Sequence, residues 1–240
     1  MLKIIRRLLG FRSQKIQVAV EREDDMAWLV PPCEVHDAGP WDRYWRAQVE
    51  NGIGPQLHDM FCEDNLLLSA MEARGLSTVL CVGNGISQEP HALAAAGMNV
   101  TALDISPVAI HLASRFALEP TDLGQFFDPN RTRPGGTVKF VVGDLLDSTV
   151  CPGPFDVAIE RRTLQLFPEQ ERSAALRAVA TRLSPEGILL THCHDGGWRP
   201  PRKPKHVIEP LLGASGFSIA HHGSPVDRRG RIAFVVESTG

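Results

Sequence analysis

The chain has 240 residues, of which 43% are hydrophobic and 22% charged, enough apolar material to bury a core and too much for a disordered or fibrous chain. It contains no run of about 18 apolar residues, so no membrane-spanning helix is expected. With 25 basic against 28 acidic side chains the net charge is −3, without the basic excess by which nucleic-acid binders release counterions, so no nucleic-acid partner is expected.

Residues 1–16 read MLKIIRRLLGFRSQKI, with Ile4, Ile5, Leu8 and Leu9 at helical spacing among Lys3, Arg6, Arg7, Arg12 and Lys15. A secretory signal needs an unbroken apolar stretch and a small-residue cleavage site, and neither pattern is present. Two readings compete for this basic amphipathic stretch: weak peripheral contact with an anionic membrane surface, or a packed terminal helix. Residues 17–40, with Pro31, Pro32, Gly39 and Pro40, give no periodicity and read as an irregular leader. From Trp41, WDRYWRAQVENG places Trp41 and Trp45 on one face of a short helix ending at Gly52. A second helix is expected from about Gln56 to Arg74, stopped by Gly75, with Leu57, Met60, Phe61, Leu67, Leu68 and Met71 as its apolar stripe. Residues 1–51 therefore form a leader with cap helices, and residues 52–240 a single larger domain.

After Gly75 short β-branched runs alternate with helical stretches of about 10–15 residues, the grammar of βαβ units and a parallel sheet. The runs are Ser77–Val82, Met98–Leu103, Thr137–Val142, Phe155–Ile159 and Gly187–Thr191, with helices expected around 88–96, 106–118, 168–183 and 203–214. Two further runs, Phe217–His221 and Arg231–Glu237, are joined by a loop containing Gly223, Pro225 and Gly230 and are expected to form an antiparallel hairpin closing the sheet. Glu119–Gly136 breaks this rhythm, rich in Pro, Gly and Asp yet carrying Phe126 and Phe127. It reads either as a lid or as a surface insertion.

Cys33, Cys62, Cys81, Cys151 and Cys193 are odd in number and scattered, with no C-x-x-C pair. This points away from a disulfide framework or zinc knuckle and toward a reducing, cytoplasmic setting.

The first strand ends in STVLCVGNGIS, so Gly83 and Gly85 fall at a strand-to-helix turn, where a missing Cβ lets the backbone turn sharply and lets a ligand approach. A dinucleotide fingerprint wants a third glycine where Gln88 stands, and the P-loop's G-K-[S/T] ending is absent. A ligand with a nucleoside but no phosphate stays allowed. Asp104 ends the second strand about 20 positions after Gly83, where an acid can accept hydrogen bonds from ribose hydroxyls. Asp144, after the third strand, lies at the same sheet edge, where a carboxylate can accept from an adenine amino group.

These residues resemble the class I S-adenosylmethionine-dependent methyltransferase family, from roughly Gly52 to Gly240. The resemblance implies S-adenosylmethionine as cofactor, held by Gly83, Asn84 and Gly85 in the first motif, by Asp104 and Ile105 at the ribose, and by Asp144 and Leu145 at the adenine. It implies an α/β fold: a seven-stranded, mostly parallel, doubly wound Rossmann-like sheet with an antiparallel last strand and a helical N-terminal leader. Two positions depart from the pattern. Cys81 stands where the family often has an acid, and Ser87 where it often has glycine.

The fourth strand supplies FDVAIERRTLQLFP, with Glu160 and Arg161 leaving its carboxyl end on the substrate-facing side, Glu160 also beside the cofactor. The N-P-P-Y/F sequence with which DNA amino-methylating members grip a flipped base is absent. The segment is similar to that of thiopurine methyltransferase-like enzymes, which place an acid-arginine pair here and carry tryptophans in an N-terminal segment; Trp41 and Trp45 either correspond to these or simply pin the leader onto the core. Methyl transfer from a sulfonium is a direct displacement, so a protein mainly aligns the reacting atoms and excludes water. Where the nucleophile needs a proton acceptor, Glu160 is the nearest candidate by position, against a purely structural pairing. His192 and His194 follow the fifth strand and share one face if extended. Substrate contact or general base, an ordinary strand end, and metal binding with Asp195 are the competing readings, and no metal is expected. The basic run Arg199, Arg202, Lys203 and Lys205 is broken by prolines and reads as a solvated loop. The expected function is methyl transfer to a small-molecule acceptor. The alternatives are a protein or RNA methyltransferase and a cofactor-binding module without turnover.

Overall fold

The computed structural model describes Pro32 and residues 34–53, 75–115, 135–192, 211–222 and 234–238. The amphipathic stretch 1–16, the helix expected from Gln56 to Arg74, most of the Glu119–Gly136 loop and the basic run after His192 lie outside these residues.

The elements run α1 (Ala38–Glu50), β1 (Thr78–Val82), α2 (Glu89–Ala95), β2 (Asn99–Asp104), α3 (Pro107–Arg115), β3 (Thr137–Val142), β4 (Phe155–Arg161), α4 (Glu169–Ala180), β5 (Leu183–His192), β6 (Phe217–His222) and β7 (Phe234–Ser238). One sheet has the order β3-β2-β1-β4-β5-β7-β6. Its first five strands are mutually parallel, and β7 pairs antiparallel with both β5 and β6. The last strand in sequence is therefore not the edge strand: it inserts between β5 and β6.

Alternation along β1 and β4 divides the core between two faces. Leu80, Val82, Ala158 and Leu189 pack with Leu176 and Val179 of α4. Val79, Cys81, Val157 and Ile159 pack with Ala92 and Leu93 of α2 on the other side. Burial on both faces is why these strands read as unbroken apolar runs. Among the described residues no helix is long and apolar enough to cross a membrane.

β4 runs on to Arg161, two residues past the expected Ile159, so Glu160 and Arg161 lie within the strand, paired with Thr191 and His192; two further boundaries differ for a clear local reason. α1 begins at Ala38 instead of Trp41, because Asp37 caps it by accepting the Gly39 N–H at 2.8 Å, and Pro40 falls in the first turn, where no N–H is required. β5 begins at Leu183 instead of Gly187: Phe155 pairs with Leu183, and the register then shifts so that Val157 pairs with Ile188.

Candidate active site

The strand order reverses at β1, whose neighbours are β2 and β4, so a crevice opens beyond the carboxyl ends of these strands. Gly83 and Gly85 turn the chain there with φ of +60° and +53°, values that L side chains adopt only with strain. The turn is tied to the next strand: Asn84 N–H donates to Leu103 O at 3.0 Å, and Gly85 N–H donates to Asp104 Oδ2 at 2.6 Å. Asp104 Oδ1 accepts the Ser106 N–H at 2.8 Å. Burial pushes the Asp104 carboxyl up to about 6, against the pull of the Ser106 and Gly85 N–H groups.

α1 lies across this turn. A Cβ on Gly85 would stand 2.6 Å from Trp45 Cζ2, so the glycine is what lets the indole approach. Asp42 Oδ1 accepts from Ser106 Oγ at 2.5 Å and from Val108 N at 3.0 Å, joining α1 to the start of α3. Trp41 is buried, donates its Nε1–H to Glu34 O at 3.0 Å and meets Tyr44 edge-on. Tyr44 in turn meets Trp45 edge-on.

Asp144 also faces the leader: its Oδ2 lies 2.8 Å from His36 Nδ1, while His36 Nε2 lies 2.8 Å from Glu171 Oε2. A neutral imidazole donates once, so both bonds exist together only on the imidazolium. The two carboxylates, Glu171 before Asp144, hold the His36 pKa above 6.5. Because the folded value is raised, the bridge is complete below 6.5 and is lost as pH rises through the raised value. Amide exchange of residues 34–37, corrected for intrinsic rates, should therefore quicken on raising the pH; a pH-independent rate would contradict the bridge. Leu145, the neighbour of Asp144, is buried, and Ile105 is half-buried.

Glu160 is fully buried, and its carboxylate accepts from Thr163 N at 2.5 Å, Leu164 N at 2.9 Å and Thr191 Oγ1 at 2.6 Å. The carboxylate thus holds the backbone turn after β4, which favours the structural of the two readings open for it. Glu160→Gln can keep an oxygen on the Thr163 and Leu164 N–H groups only by turning its NH2 onto the Thr191 hydroxyl and giving up the charge that strengthens these bonds, so a destabilisation of about 1–2 kcal/mol is expected, read as a lower unfolding midpoint. An unchanged midpoint with lost turnover would favour the proton-acceptor role instead. Arg161 pairs with Glu89: its Nε lies 2.5 Å from Glu89 Oε1, with both side chains nearly inaccessible. His192 ends β5 in register with Arg161, and its side chain is outside the described residues, as are His194 and Asp195. Among the described residues no group of three metal-ligating side chains comes together.

Glu89 was missed by the sequence reading. The signal was present as an acid at the first position of the helix after the glycine turn, in the run Gln88-Glu89-Pro90. Burial pushes the Glu89 carboxyl up, opposed by the Arg161 guanidinium. Beside it Gln88 is fully buried, with neither amide atom hydrogen-bonded; Asn84 Oδ1 and Trp45 Nε1 are likewise buried without partners among the described residues. Orphaned neutral donors and acceptors around a glycine turn, with an acid at the next strand end and no lysine in the turn, suit a polar ligand that carries a nucleoside and no phosphate. S-adenosylmethionine is such a ligand.

Residues 80–191 match the family described as methyltransferase domain. No curated protein matches the chain. Among solved structures, the S-adenosylmethionine-bound magnesium protoporphyrin IX methyltransferase of Synechocystis PCC 6803 is similar, with TM-score 0.56 and 20% identity over 92% of this chain and 100% of that one. A TehB-like S-adenosylmethionine-dependent methyltransferase from Corynebacterium glutamicum gives TM-score 0.54 and 19% identity, covering 85% of this chain and 98% of that one. An amino pentose methyltransferase from Micromonospora echinaspora gives 0.55 and 17%, covering 81% and 96%. At these identities the structural likeness speaks for the fold, a Rossmann-like methyltransferase fold. The match over residues 80–191 and the structural likeness agree on a Rossmann-like methyltransferase domain fold built around the Gly83/Gly85 turn.

Proposed function

We propose that this enzyme methylates a small molecule inside a cleft roofed by α1. The observation that carries this reading is the seat of Trp45 on Gly85, reinforced by the Asp42 bonds to Ser106 and Val108. A roof tied directly to the cofactor turn leaves room for a compact acceptor and little for a folded macromolecule. The net charge of −3 and the missing base-gripping sequence after β4 favour the same reading. The tryptophans of α1 also support the narrower likeness to thiopurine methyltransferase-like enzymes.

In this reading Gly83, Asn84 and Gly85 form the cofactor turn, Asp104 and Ile105 flank the ribose, and Asp144 and Leu145 flank the adenine. Asp104 meets the two ribose hydroxyls with lone pairs left over from the Gly85 and Ser106 N–H groups. Asp144 can meet the adenine amine with a lone pair left over from His36 and the Leu146 N–H, so the leader and the cofactor share that acid. When bound, the cofactor supplies a methyl group on a sulfonium, transferred by direct displacement. The chain's own part is alignment and exclusion of water: Trp45 roofs the turn, Glu160 fixes the backbone of Thr163 and Leu164, and His192 ends β5 on the acceptor side of the cleft.

The test uses methyl-labelled S-adenosylmethionine with a cell extract separated into dialysable and macromolecular fractions. Label is expected in dialysable products. Label in protein or RNA would overturn the small-molecule reading, and cofactor binding without S-adenosylhomocysteine release from any fraction would point to the binding module.

A further inference from the structure

We propose that the buried Glu89–Arg161 pair, with Gln88 beside it, receives the amino-acid end of the cofactor, Glu89 taking the ammonium and Arg161 the carboxylate. This rests on the cofactor assignment and adds residues to it that neither the glycine turn nor the strand-end acids supply.

The amino-acid end of S-adenosylmethionine is a zwitterion, and a water-poor cleft can hold one only by offering a charge of each sign. Among the described residues, Glu89 and Arg161 are a buried pair of opposite charges, 2.5 Å apart. Their place is next to the turn. Val82 is in register with Glu160, so Arg161 leaves β4 beside Gly83, while Glu89 opens the helix that follows Gly85. The first strand offers only a thiol on this face: Cys81 is buried, and its thiol is pushed well up by burial and then by the nearby Glu89 charge. The acid of the site thus comes from the helix instead of the strand.

Stability alone gives no reason for the arrangement. A buried ion pair is commonly no better than apolar packing of the same volume, and here the sheet face around it is otherwise Val79, Ile159 and Leu93. Gln88 is the second, independent sign. Its side chain is fully buried, with the amide nitrogen and oxygen both unpartnered, and a group with one donor end and one acceptor end complements a carboxylate and an ammonium together.

The test compares binding of S-adenosylhomocysteine and 5′-methylthioadenosine by calorimetry. The second ligand keeps the nucleoside and the sulfur and lacks the amino acid. The wild-type chain is expected to prefer S-adenosylhomocysteine, and Glu89→Gln to weaken that ligand by about tenfold or more while leaving 5′-methylthioadenosine nearly unchanged. If Glu89→Gln loses its fold, Glu89→Asp keeps a charge for Arg161 and should show the same selective loss at smaller size. Equal weakening of both ligands, or of neither, overturns the proposal. A wild-type chain that binds both equally also overturns it and leaves the cofactor assignment intact, whereas one that binds neither removes the assignment itself.

Discussion

Gly83→Ala is expected to cost about 3 kcal/mol of stability, a fall of roughly 6–12 °C in the unfolding midpoint, and to abolish detectable cofactor binding. Two effects combine. The residue sits at φ +60°, where a Cβ strains the backbone by about 1–3 kcal/mol. The new methyl would also overlap Oγ1, Cγ2 and Cβ of Thr163. Thr163 has little freedom to retreat, because its N–H is held by Glu160 and its hydroxyl donates to Val82 O at 3.3 Å. Gly83→Ala and Glu160→Gln thus disturb one network, and the double variant should lose less than the two single losses added together. Gly213→Ala is the control: its Cβ would meet nothing within 4 Å, and in a helical stretch it should be neutral or gain up to about 1 kcal/mol. Calorimetric scans of the four variants check both statements, and a Gly83→Ala midpoint within a degree or so of wild type would contradict the first.

Asp104→Asn should weaken S-adenosylhomocysteine by about 100-fold while leaving the free protein as stable as wild type, or more so, at neutral pH. The reason is the burial of this acid. Its carboxyl is raised from 3.8 to about 6, so the folded chain binds that proton more tightly than the unfolded one. The associated stability is complete below pH 3.8 and is lost as pH rises through about 6, a loss on the order of 3 kcal/mol by neutrality. Asparagine removes the charge and with it that loss, at the expense of one acceptor for the Gly85 or Ser106 N–H. Ribose hydroxyls, by contrast, donate to the ionised form and favour it. Wild-type affinity should therefore rise with pH across 6 and fall about tenfold by pH 5, where only about a tenth of the free-protein Asp104 is ionised. A pH-independent affinity, or an Asp104→Asn chain that binds as wild type does, would take Asp104 out of the cofactor site.

What could be read in the sequence followed from local rules. β1 and β4 are short and apolar because both faces of the sheet are covered, and the Gly83/Gly85 turn and Asp104 stand at strand ends whose spacing is set by one β-α-β unit. What escaped were contacts between segments far apart in the chain. The strand-end position of Glu160 is visible in the sequence, whereas donors such as Thr191 on the next strand are not. Arg161 stands next to Glu160 in the sequence, but neighbours on a strand point to opposite faces, and its ion pair with Glu89 on α2 has no local signal. His36 carried no signal at all, since its two carboxylates lie 108 and 135 positions away. Arg182 is similar: it is buried and donates to the carbonyls of Asp147, Val150, Cys151 and Ala178, which no local pattern announces. The antiparallel pairing of the last two strands was legible from their short connection, while the insertion of β7 between β5 and β6 depends on the whole sheet.

The central claim is that the carboxyl edge of β1 and β2 holds an adenosyl cofactor, and its most direct test is thermal unfolding of the purified chain with S-adenosylmethionine, S-adenosylhomocysteine and NAD at equal concentration. A ligand present at about 100 times its dissociation constant adds roughly 2.7 kcal/mol, a shift of about 5–10 °C for a chain of this size. The predicted result is that both adenosyl compounds raise the midpoint by such an amount and NAD does not. Stabilisation by NAD alone, or by none of the three, would contradict it.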